Sequence, residues 1–207
     1  SSTQKAFLFL LVLLITYYLL LIAKFWYADM QFASGNRYRQ VSYYGTAYPL
    51  IKKATEINPR EPLFHSELST TAAVLALASA QNEDATSAAG FMQEALIESQ
   101  KALQISPQNL LFWKKQTTVL TTLAEIDPQL FTSARDAALI AAELAPTDPK
   151  VTYNVGILYG KTSEPEKAIE WLQKTKELKP DFRDAFYAQA LFYKDLGNIE
   201  KARENLE

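Results

Sequence analysis

The sequence predicts an all-α protein, with a transmembrane helix at the N terminus followed by an α-solenoid of helix-turn-helix repeats. Two observations support this prediction. Residues 6–23 contain no charge, no proline and no glycine. After them the pattern A-x6-A-x2-[I/L]-x-P occurs four times and begins a fifth time at Ala202. Repeats of this kind are too small to fold alone, and stacking gives them one continuous core.

The apolar run is long enough to cross a bilayer. Extended to residue 27, it would form a helix of about 30 Å at ~1.5 Å per residue. It ends in Lys24, Phe25, Trp26 and Tyr27, and a cation beside aromatic residues is typical of the membrane–water interface. We therefore predict that residues 6–27 insert into a lipid bilayer and that these four residues lie at its interface.

Two questions about this run stay open at the sequence level. A signal peptide would have a shorter apolar core and a small-residue cleavage site, for which Ala28 and Ala33 are the candidates. Lys5 alone precedes the run and several basic residues follow it, so the positive-inside rule would place the repeats in the cytoplasm. Further spans upstream could reverse that orientation, and the side of the membrane is left open.

The repeated motif divides the rest of the chain into helix pairs. Its copies are Ala47-Ala54-Ile57-Pro59, Ala95-Ala102-Ile105-Pro107, Ala134-Ala141-Leu144-Pro146 and Ala168-Thr175-Leu178-Pro180. Proline stops a helix, so each copy predicts the second helix of a pair. In the fourth unit the pattern predicts helices over 151–161 and 165–178. Gly156 in the first helix and Ala168 in the second allow the two to approach closely.

These units resemble the tetratricopeptide repeat (TPR), a pattern of about 34 residues. The matching positions are Trp113 and Phe186 for the aromatic, Val155-Gly156 and Ser34-Gly35 for the Leu-Gly pair, Tyr159 and Tyr38 for the tyrosine, and Gly197 for the turn. The resemblance covers residues 28–207 and implies units at about 28–61, 62–109, 110–148, 149–182 and a truncated 183–207. We expect residues 1–27 to form the transmembrane helix with its aromatic belt.

The closing prolines are unevenly spaced, at 48, 39 and 34 residues between positions 59, 107, 146 and 180. The second unit therefore holds about 14 residues more than a standard repeat, around positions 80–84, and the third about five more, at 125–130. We expect longer helices or loops at these two places. In the first unit the membrane helix is expected to continue into the array without a flexible linker.

Composition argues against catalysis within this segment. After the apolar run the chain has 19 basic and 23 acidic residues, so no basic surface for nucleic acid is predicted. It has no cysteine and a single histidine, His65, which we interpret as a packing residue. We interpret the glutamates of the second helices, such as Glu94 and Glu98, as residues on solvent-exposed helix faces. We predict no catalytic, cofactor-binding or metal-binding residue here, and no cofactor.

Binding is instead expected along the concave face, which is lined by the first helix of each pair. Projecting the pattern places the following residues there: Phe32, Asn36, Ser66, Thr70, Lys114, Thr118, Thr121, Tyr153, Ile157, Tyr187 and Leu191. For Tyr153 and Tyr187, packing between repeats is an equal alternative. Apart from Lys114 this groove is predicted to be uncharged and rich in hydroxyls. It suits an extended or helical protein segment better than a terminal carboxylate.

A second resemblance needs both halves of the chain. A Leu- and Tyr-rich span passes directly into YADMQFASG, followed by INPREPLFHSEL, ALIESQKALQISPQN, ELAPTDPK and LKPDFRDAFYAQALFY. The whole segment resembles the C-terminal end of bacterial O-antigen ligase-like membrane proteins that carry TPRs. The resemblance implies a multi-span glycosyltransferase that joins polysaccharide from a lipid carrier to an acceptor. Its catalytic residues would lie in upstream periplasmic loops, so none is assigned here.

Three hypotheses of function follow. The first is a membrane-anchored TPR scaffold that binds a protein or peptide partner in the concave groove. The second is the C-terminal accessory region of an O-antigen ligase- or polymerase-like glycosyltransferase, acting beside polysaccharide-assembly machinery. The third is a secreted TPR protein behind a cleaved signal peptide, with a mature N terminus near residues 28–34. The first two place the protein in a bacterial cytoplasmic membrane.

Overall fold

The computed structural model of the protein describes residues 2–206, which form ten α-helices. In chain order these are α1 (Ser2–Gln40), α2 (Tyr44–Ile57), α3 (Pro62–Gln81), α4 (Ala85–Ile105), α5 (Leu110–Leu123), α6 (Leu130–Leu144), α7 (Pro149–Lys161), α8 (Pro165–Leu178), α9 (Arg183–Asp195) and α10 (Ile199–Glu204). Successive helices pack as antiparallel pairs, and each pair packs on the next to form an α-solenoid.

The repeated motif is explained by the packing of the second helix in each pair. Its small residues are almost inaccessible to solvent in every unit, from Ala47 and Ala54 in α2 to Ala168 in α8. A larger side chain at these positions would hold the paired helices apart. Thr175 replaces alanine in the fourth unit and is also fully buried. Its hydroxyl lies 2.9 Å from the hydroxyl of Thr152 on α7, so the polar group has a partner.

Local signals fix the helix boundaries. Asn109 and Asp148 cap α5 and α7 through their side chains, at 2.9 Å from the amide nitrogens of Leu111 and Lys150, respectively. The prolines at the starts of α3, α7 and α8 stand in the first turn, where a missing N–H group does no harm. Gly197 turns the chain between α9 and α10 with φ of +77°, a conformation that favours glycine.

The extra residues of the second unit lengthen its helices. α3 has 20 residues and α4 has 21, against 13 and 14 for α7 and α8. Each helix of this pair is thus about two turns longer than its counterpart. The extra residues of the third unit form an irregular loop between α5 and α6. Ile126 of that loop packs against the core shared by α3, α4 and α5.

The helix α1 runs from the apolar segment into the array without interruption. Its apolar part is long enough to cross a membrane, and none of the most apolar 18-residue window is buried. Burial begins at Ala28, which packs with Ala54 and Phe64. The interface aromatics predicted just before it remain accessible, with Trp26 at 65% exposure. No glycine or proline loosens this junction, because Gly35 is held within the helix against Ile51.

Candidate protein-binding groove

Four of the predicted groove residues come together in one pocket on the inner face of the array. Successive first helices such as α3 and α5 pack directly on each other, whereas the backbones of α5 and α7 lie further apart. The resulting pocket has a volume of about 450 Å³. Its lining comprises Leu77, Thr117, Thr118, Thr121, Thr122, Glu125, Phe131, Tyr153, Asn154, Ile157, Leu158 and Lys161.

The two expanded units build the walls that the repeat pattern alone does not supply. Leu77 lies in the C-terminal part of the long helix α3, Glu125 lies in the loop between α5 and α6, and Phe131 lies in the first turn of α6. Sequence reasoning placed insertions at both sites but did not connect them with the groove. Both insertions are indicated in the sequence by the uneven spacing of the closing prolines. This spacing shows where along the chain the extra residues lie, but it does not show which surface of the fold they reach.

The threonines give this pocket less hydrogen-donating capacity than their number suggests. The hydroxyl of Thr121 donates to the carbonyl of Thr117 at 2.7 Å, and that of Thr118 donates to the carbonyl of Lys114 at 3.1 Å. With their protons bound to their own helix, they offer methyl groups and oxygen lone pairs. Together with Ile157 and Leu77, the threonine methyl groups give this part of the lining an apolar surface, and the threonine oxygens can accept hydrogen bonds beside it.

Tyr153 both packs between repeats and lines the groove, the two roles that the sequence left open for it. Its ring packs against Phe182, which directly precedes α9, with centroids 5.1 Å apart, and it also lines the pocket. Burial, together with the negative charge of Asp184, raises the pKa of the Tyr153 phenol above its ordinary value of 10.0. The phenol thus stays neutral at physiological pH and can donate a hydrogen bond to a bound segment.

At the C-terminal end of the groove, Tyr187 and Leu191 are both accessible, at 59% and 43% exposure. They lie on α9, outside the pocket between α5 and α7. They form a separate apolar surface that an extended partner would reach only after leaving the pocket.

Predicted residues at the N-terminal end of the groove serve the structure. Phe32 stacks on Phe64 with centroids 4.5 Å apart. Ser66 is 1% exposed, and no hydrogen bond to its hydroxyl oxygen is found among residues 2–206. Thr70 donates to the carbonyl of Ser66 at 2.8 Å. None of these residues lines the pocket between α5 and α7.

The first helices carry more charged side chains than Lys114, and the pocket lining itself includes Glu125 and Lys161. Lys114 is itself paired with Asp148, the residue that caps α7, at 3.0 Å. The carboxylate of Glu67 is nearly buried and lies 3.2 Å from Arg39 and 2.9 Å from Lys115. The triad joins three successive first helices, α1, α3 and α5. Asn36, another predicted groove residue, accepts hydrogen bonds from the Arg39 guanidinium.

Two glutamates interpreted as solvated are in fact engaged. Glu98 is 7% exposed and lies 2.5 Å from Nδ1 of His65, while its other oxygen accepts from Lys101 at 2.8 Å. Glu94 pairs with Lys52 at 2.8 Å and accepts a hydrogen bond from the Tyr48 hydroxyl. Partners from other helices, which the local charge pattern does not show, account for the difference. His65 is buried, as its interpretation as a packing residue requires.

Comparison with sequences of known proteins identifies the repeat. The model of the tetratricopeptide repeat matches residues 184–207. A stretch of 52 residues is 42% identical to an uncharacterized protein of Methanocaldococcus jannaschii. The match involves 25% of this chain and spans 60% of that protein, less than two thirds of its length.

Solved structures of other proteins are similar over most of the chain. MamA from Desulfovibrio magneticus is similar with a TM-score of 0.68 at 17% identity, over 87% of this chain and 91% of that one. YrrB, a TPR protein with an unusual peptide-binding site, is similar with a TM-score of 0.60 at 20% identity, over 85% and 81%. At such identities the likeness establishes the fold.

The fold and the groove together define a class. The chain carries a tetratricopeptide repeat and has the α-solenoid architecture of TPR proteins, which confirms the predicted fold class. Solenoids of such repeats characteristically present an extended concave surface for binding.

Proposed function

We propose that this protein is a membrane-anchored TPR scaffold that holds a protein segment in the pocket between α5 and α7. The observation that supports membrane anchoring is the exposure of the apolar half of α1 and its continuity with the array. Its apolar half is exposed along its whole length, and the same helix continues directly into the packed array. A helix with apolar side chains exposed on every face is unfavourable in water. The hydrocarbon core of a bilayer buries such a helix, and its thickness matches the length of the apolar run.

The packing at the junction supports anchoring over secretion. A cleaved signal peptide would end near residues 28–34, but Ala28 is fully buried and Phe32 stacks on Phe64. Cleavage there would remove side chains from the first core cluster of the array. A protein that retains α1 uncleaved keeps both its membrane anchor and this core cluster.

The pocket suits a partner segment that inserts one bulky apolar side chain. Leu77 and Ile157 provide apolar contact, and the threonine oxygens accept hydrogen bonds from donors beside that side chain. Glu125 and Lys161 bring opposite charges to the lining, and Lys161 lies over the ring of Phe131 at 5.3 Å from its centroid. The preferred partner is therefore an apolar segment without a large net charge.

The narrower hypothesis, the accessory region of an O-antigen ligase-like glycosyltransferase, is favoured by the same junction. A continuous helix without a linker would hold the array at a fixed place beside a membrane domain. Recovery of the upstream reading frame tests this hypothesis. About ten further apolar spans would support it, and an initiator methionine directly before Ser1 would exclude it.

The main proposal is tested in two arms. In the first, the protein is mixed with phosphatidylcholine–phosphatidylglycerol vesicles and floated on a density gradient. It should float and resist alkaline extraction, and a variant that lacks residues 6–23 should stay at the bottom. Recovery of the intact protein in the soluble fraction would overturn the anchoring.

In the second arm a photocrosslinking amino acid replaces Ile157 in the pocket or, as the matched control, Ile97 on the exposed side of α4. In cells, the pocket position should give a crosslinked product of one defined mass that the control position does not give. Equal products from both positions, or none from the pocket, would contradict a partner in the pocket.

A further inference from the structure

We infer that His65 acts as a pH-dependent switch at the junction between α1 and the array. When its ring loses a proton, the loop between α2 and α3 loosens, and the attachment of α1 weakens with it. His65 is 3% exposed and lies on α3, where that helix meets α4 and the loop. The inference goes beyond the proposed scaffold function, because it concerns how firmly α1 is held and not what the groove binds.

Both ring nitrogens face oxygens that can only accept a hydrogen bond. Nδ1 lies 2.5 Å from a carboxylate oxygen of Glu98 on α4, and Nε2 lies 2.9 Å from the carbonyl oxygen of Pro59 in the loop. The protonated imidazole donates to both oxygens, whereas the neutral imidazole carries a single N–H group. Loss of the proton therefore leaves one nitrogen lone pair facing an oxygen lone pair. That contact opens, because a buried acceptor without a donor is costly.

The contact that opens is the one to Pro59. Glu98 is 7% exposed, and Lys101 holds the other oxygen of its carboxylate at 2.8 Å. Hydrogen bonds to a charged acceptor are stronger than those to a neutral one, so the neutral ring keeps its remaining N–H group on Glu98. Pro59 is exposed and lies in the short loop of residues 58–61. Its carbonyl oxygen can therefore turn from the ring to water.

The same loop takes part in the attachment of α1. Ile57 precedes the loop and Phe64 follows it, and both pack in the cluster that contains Ala28 and Phe32 of α1. Phe64 is the neighbour of His65 in the chain, and its ring stacks on Phe32 with centroids 4.5 Å apart. Helix α1 packs mainly on α2 and much less on α3. At this end of α1 the contact with α3 is made by this cluster, so a freed loop weakens it.

The charged groups around the ring set the pH of the change. Glu98 and Lys101 face it from α4. On the loop, Arg60 is exposed and the carboxylate of Glu61 accepts from an amide in the first turn of α3. Burial disfavours the charged ring and Lys101 opposes it, but the hydrogen bonds to Glu98 and to the loop carbonyl outweigh both and raise the pKa of His65 above its ordinary value of 6.5. The junction is therefore closed in mildly acidic solution and loosens as the pH rises through the raised pKa.

Nuclear magnetic resonance of the full chain in detergent micelles tests this switch, because the chain contains a single histidine. Its ring protons report the protonation of His65. Amide hydrogen exchange, corrected for the intrinsic effect of pH, reports the loop and α1. From about pH 5.5 to about pH 8.5, the amides of residues 57–65 and 28–35 should lose protection about tenfold, the effect of one hydrogen bond. The loss should have the same midpoint as the ring titration, and the amides of α7 and α8 should show no loss.

Three variants separate a switch from a histidine that only packs. His65→Gln should give low protection of the loop at both pH values. Lys101→Gln removes a positive charge that opposes protonation of the ring, so the midpoints of the ring and of the loop should move together to higher pH. Lys194→Gln, an exposed position on α9, is the matched control and should move neither midpoint.

Three outcomes would overturn the inference. They are a ring that does not titrate between the two pH values, a ring titration that leaves the loop unchanged, and a loop response that persists in His65→Gln. Membrane insertion and binding in the groove are measured separately by flotation and crosslinking, so none of these outcomes bears on the proposed function.

Discussion

Nδ1 of His65 lies 2.5 Å from a carboxylate oxygen of Glu98, and Nε2 of the same ring lies 2.9 Å from the carbonyl oxygen of Pro59. Both neighbours are hydrogen-bond acceptors, and only the protonated imidazole donates from both nitrogens. The ring joins α3 to α4 and to the loop that follows α2. Ile57 and Phe64, on either side of this loop, pack in the same cluster as Ala28, where the apolar helix meets the array.

The charge of this pair makes stability depend on pH. Burial disfavours the charged imidazole, but the hydrogen bonds to Glu98 and Pro59 outweigh it and raise the pKa of His65 above its ordinary value of 6.5. Burial likewise disfavours the carboxylate of Glu98, but its bonds to His65 and Lys101 outweigh it and lower its pKa below 4.5. The His65 contribution is full below pH 6.5 and is lost as pH rises through the raised pKa. The Glu98 contribution is present above pH 4.5 and is lost as pH falls.

His65→Gln should therefore lower the free energy of unfolding more at about pH 5.5 than at about pH 8.5. Denaturant unfolding at the two values measures the difference. Lys101→Gln is the matched control, since Lys101 touches the same carboxylate from the surface and should cost about 0.5 kcal/mol or less. A His65→Gln effect that does not change with pH would mean that the ring is neutral in the folded protein.

Gly156→Ala should destabilise the fourth helix pair. A Cβ atom at this position would lie 2.9 Å from Cγ of Leu172 and 3.2 Å from the carbonyl oxygen of Ala168. Neither atom is the free end of a flexible chain, so α7 and α8 must separate. We expect a loss of about 1–3 kcal/mol in the free energy of unfolding. Gly90→Ala, where nothing lies within 4 Å, should instead stabilise α4 by about 0.5–1 kcal/mol. A neutral result at Gly156 would show that the pair tolerates a wider spacing.

The triad around Glu67 should hold the first three units together. Glu67→Gln leaves Arg39 and Lys115 without their shared carboxylate, in a setting where the Glu67 side chain is 8% exposed. A double-mutant cycle with Arg39→Met should give a coupling energy of about 1–2 kcal/mol. Hydrogen exchange should become faster in the array-side half of α1. Additive effects of the two substitutions would mean that the ion pair adds nothing to stability.

Substitution of two alanines on α1, one buried and one exposed, tests how tightly this helix is attached to the array. Ala28→Leu adds volume at a fully buried position beside Ala54 and Phe64, and should cost about 1–3 kcal/mol. Ala33→Leu is the control, because Ala33 is exposed, and it should change stability by less than about 0.5 kcal/mol. Thermal unfolding of the two variants measures both. Equal melting temperatures would show that α1 is only loosely attached.

The architecture was predictable because each unit repeats the same local pattern. Small residues at fixed spacing and a closing proline identify the second helix of each pair, and α8 begins and ends at the predicted residues. Proline spacing also located the extra residues of the second and third units. What it did not show is that Ile126 of one insertion packs against the helices lengthened by the other. That contact joins segments from different units and leaves no periodic signal.

The candidate site was predictable only in part for the same reason. Helical projection found Thr118, Thr121, Tyr153 and Ile157, which share one surface because their helices are neighbouring first helices. It counted Ser66 as accessible, although the neighbouring units cover it. Arg39 and Lys115, which pair with Glu67, and His65, which contacts Glu98, lie on other helices than these glutamates, and charge patterns along one helix do not reveal such pairs.

The single continuous helix α1 contains both the apolar run and the first helix of the array. The direction in which the groove faces therefore depends on how the apolar run is rotated about its own axis. Inserting a single residue below Tyr27 would swing the groove by about 100° around the helix axis. Tilting the run would tip the groove through the same angle. With the run inserted in a bilayer as proposed, a segment bound in the groove would face one direction relative to the membrane.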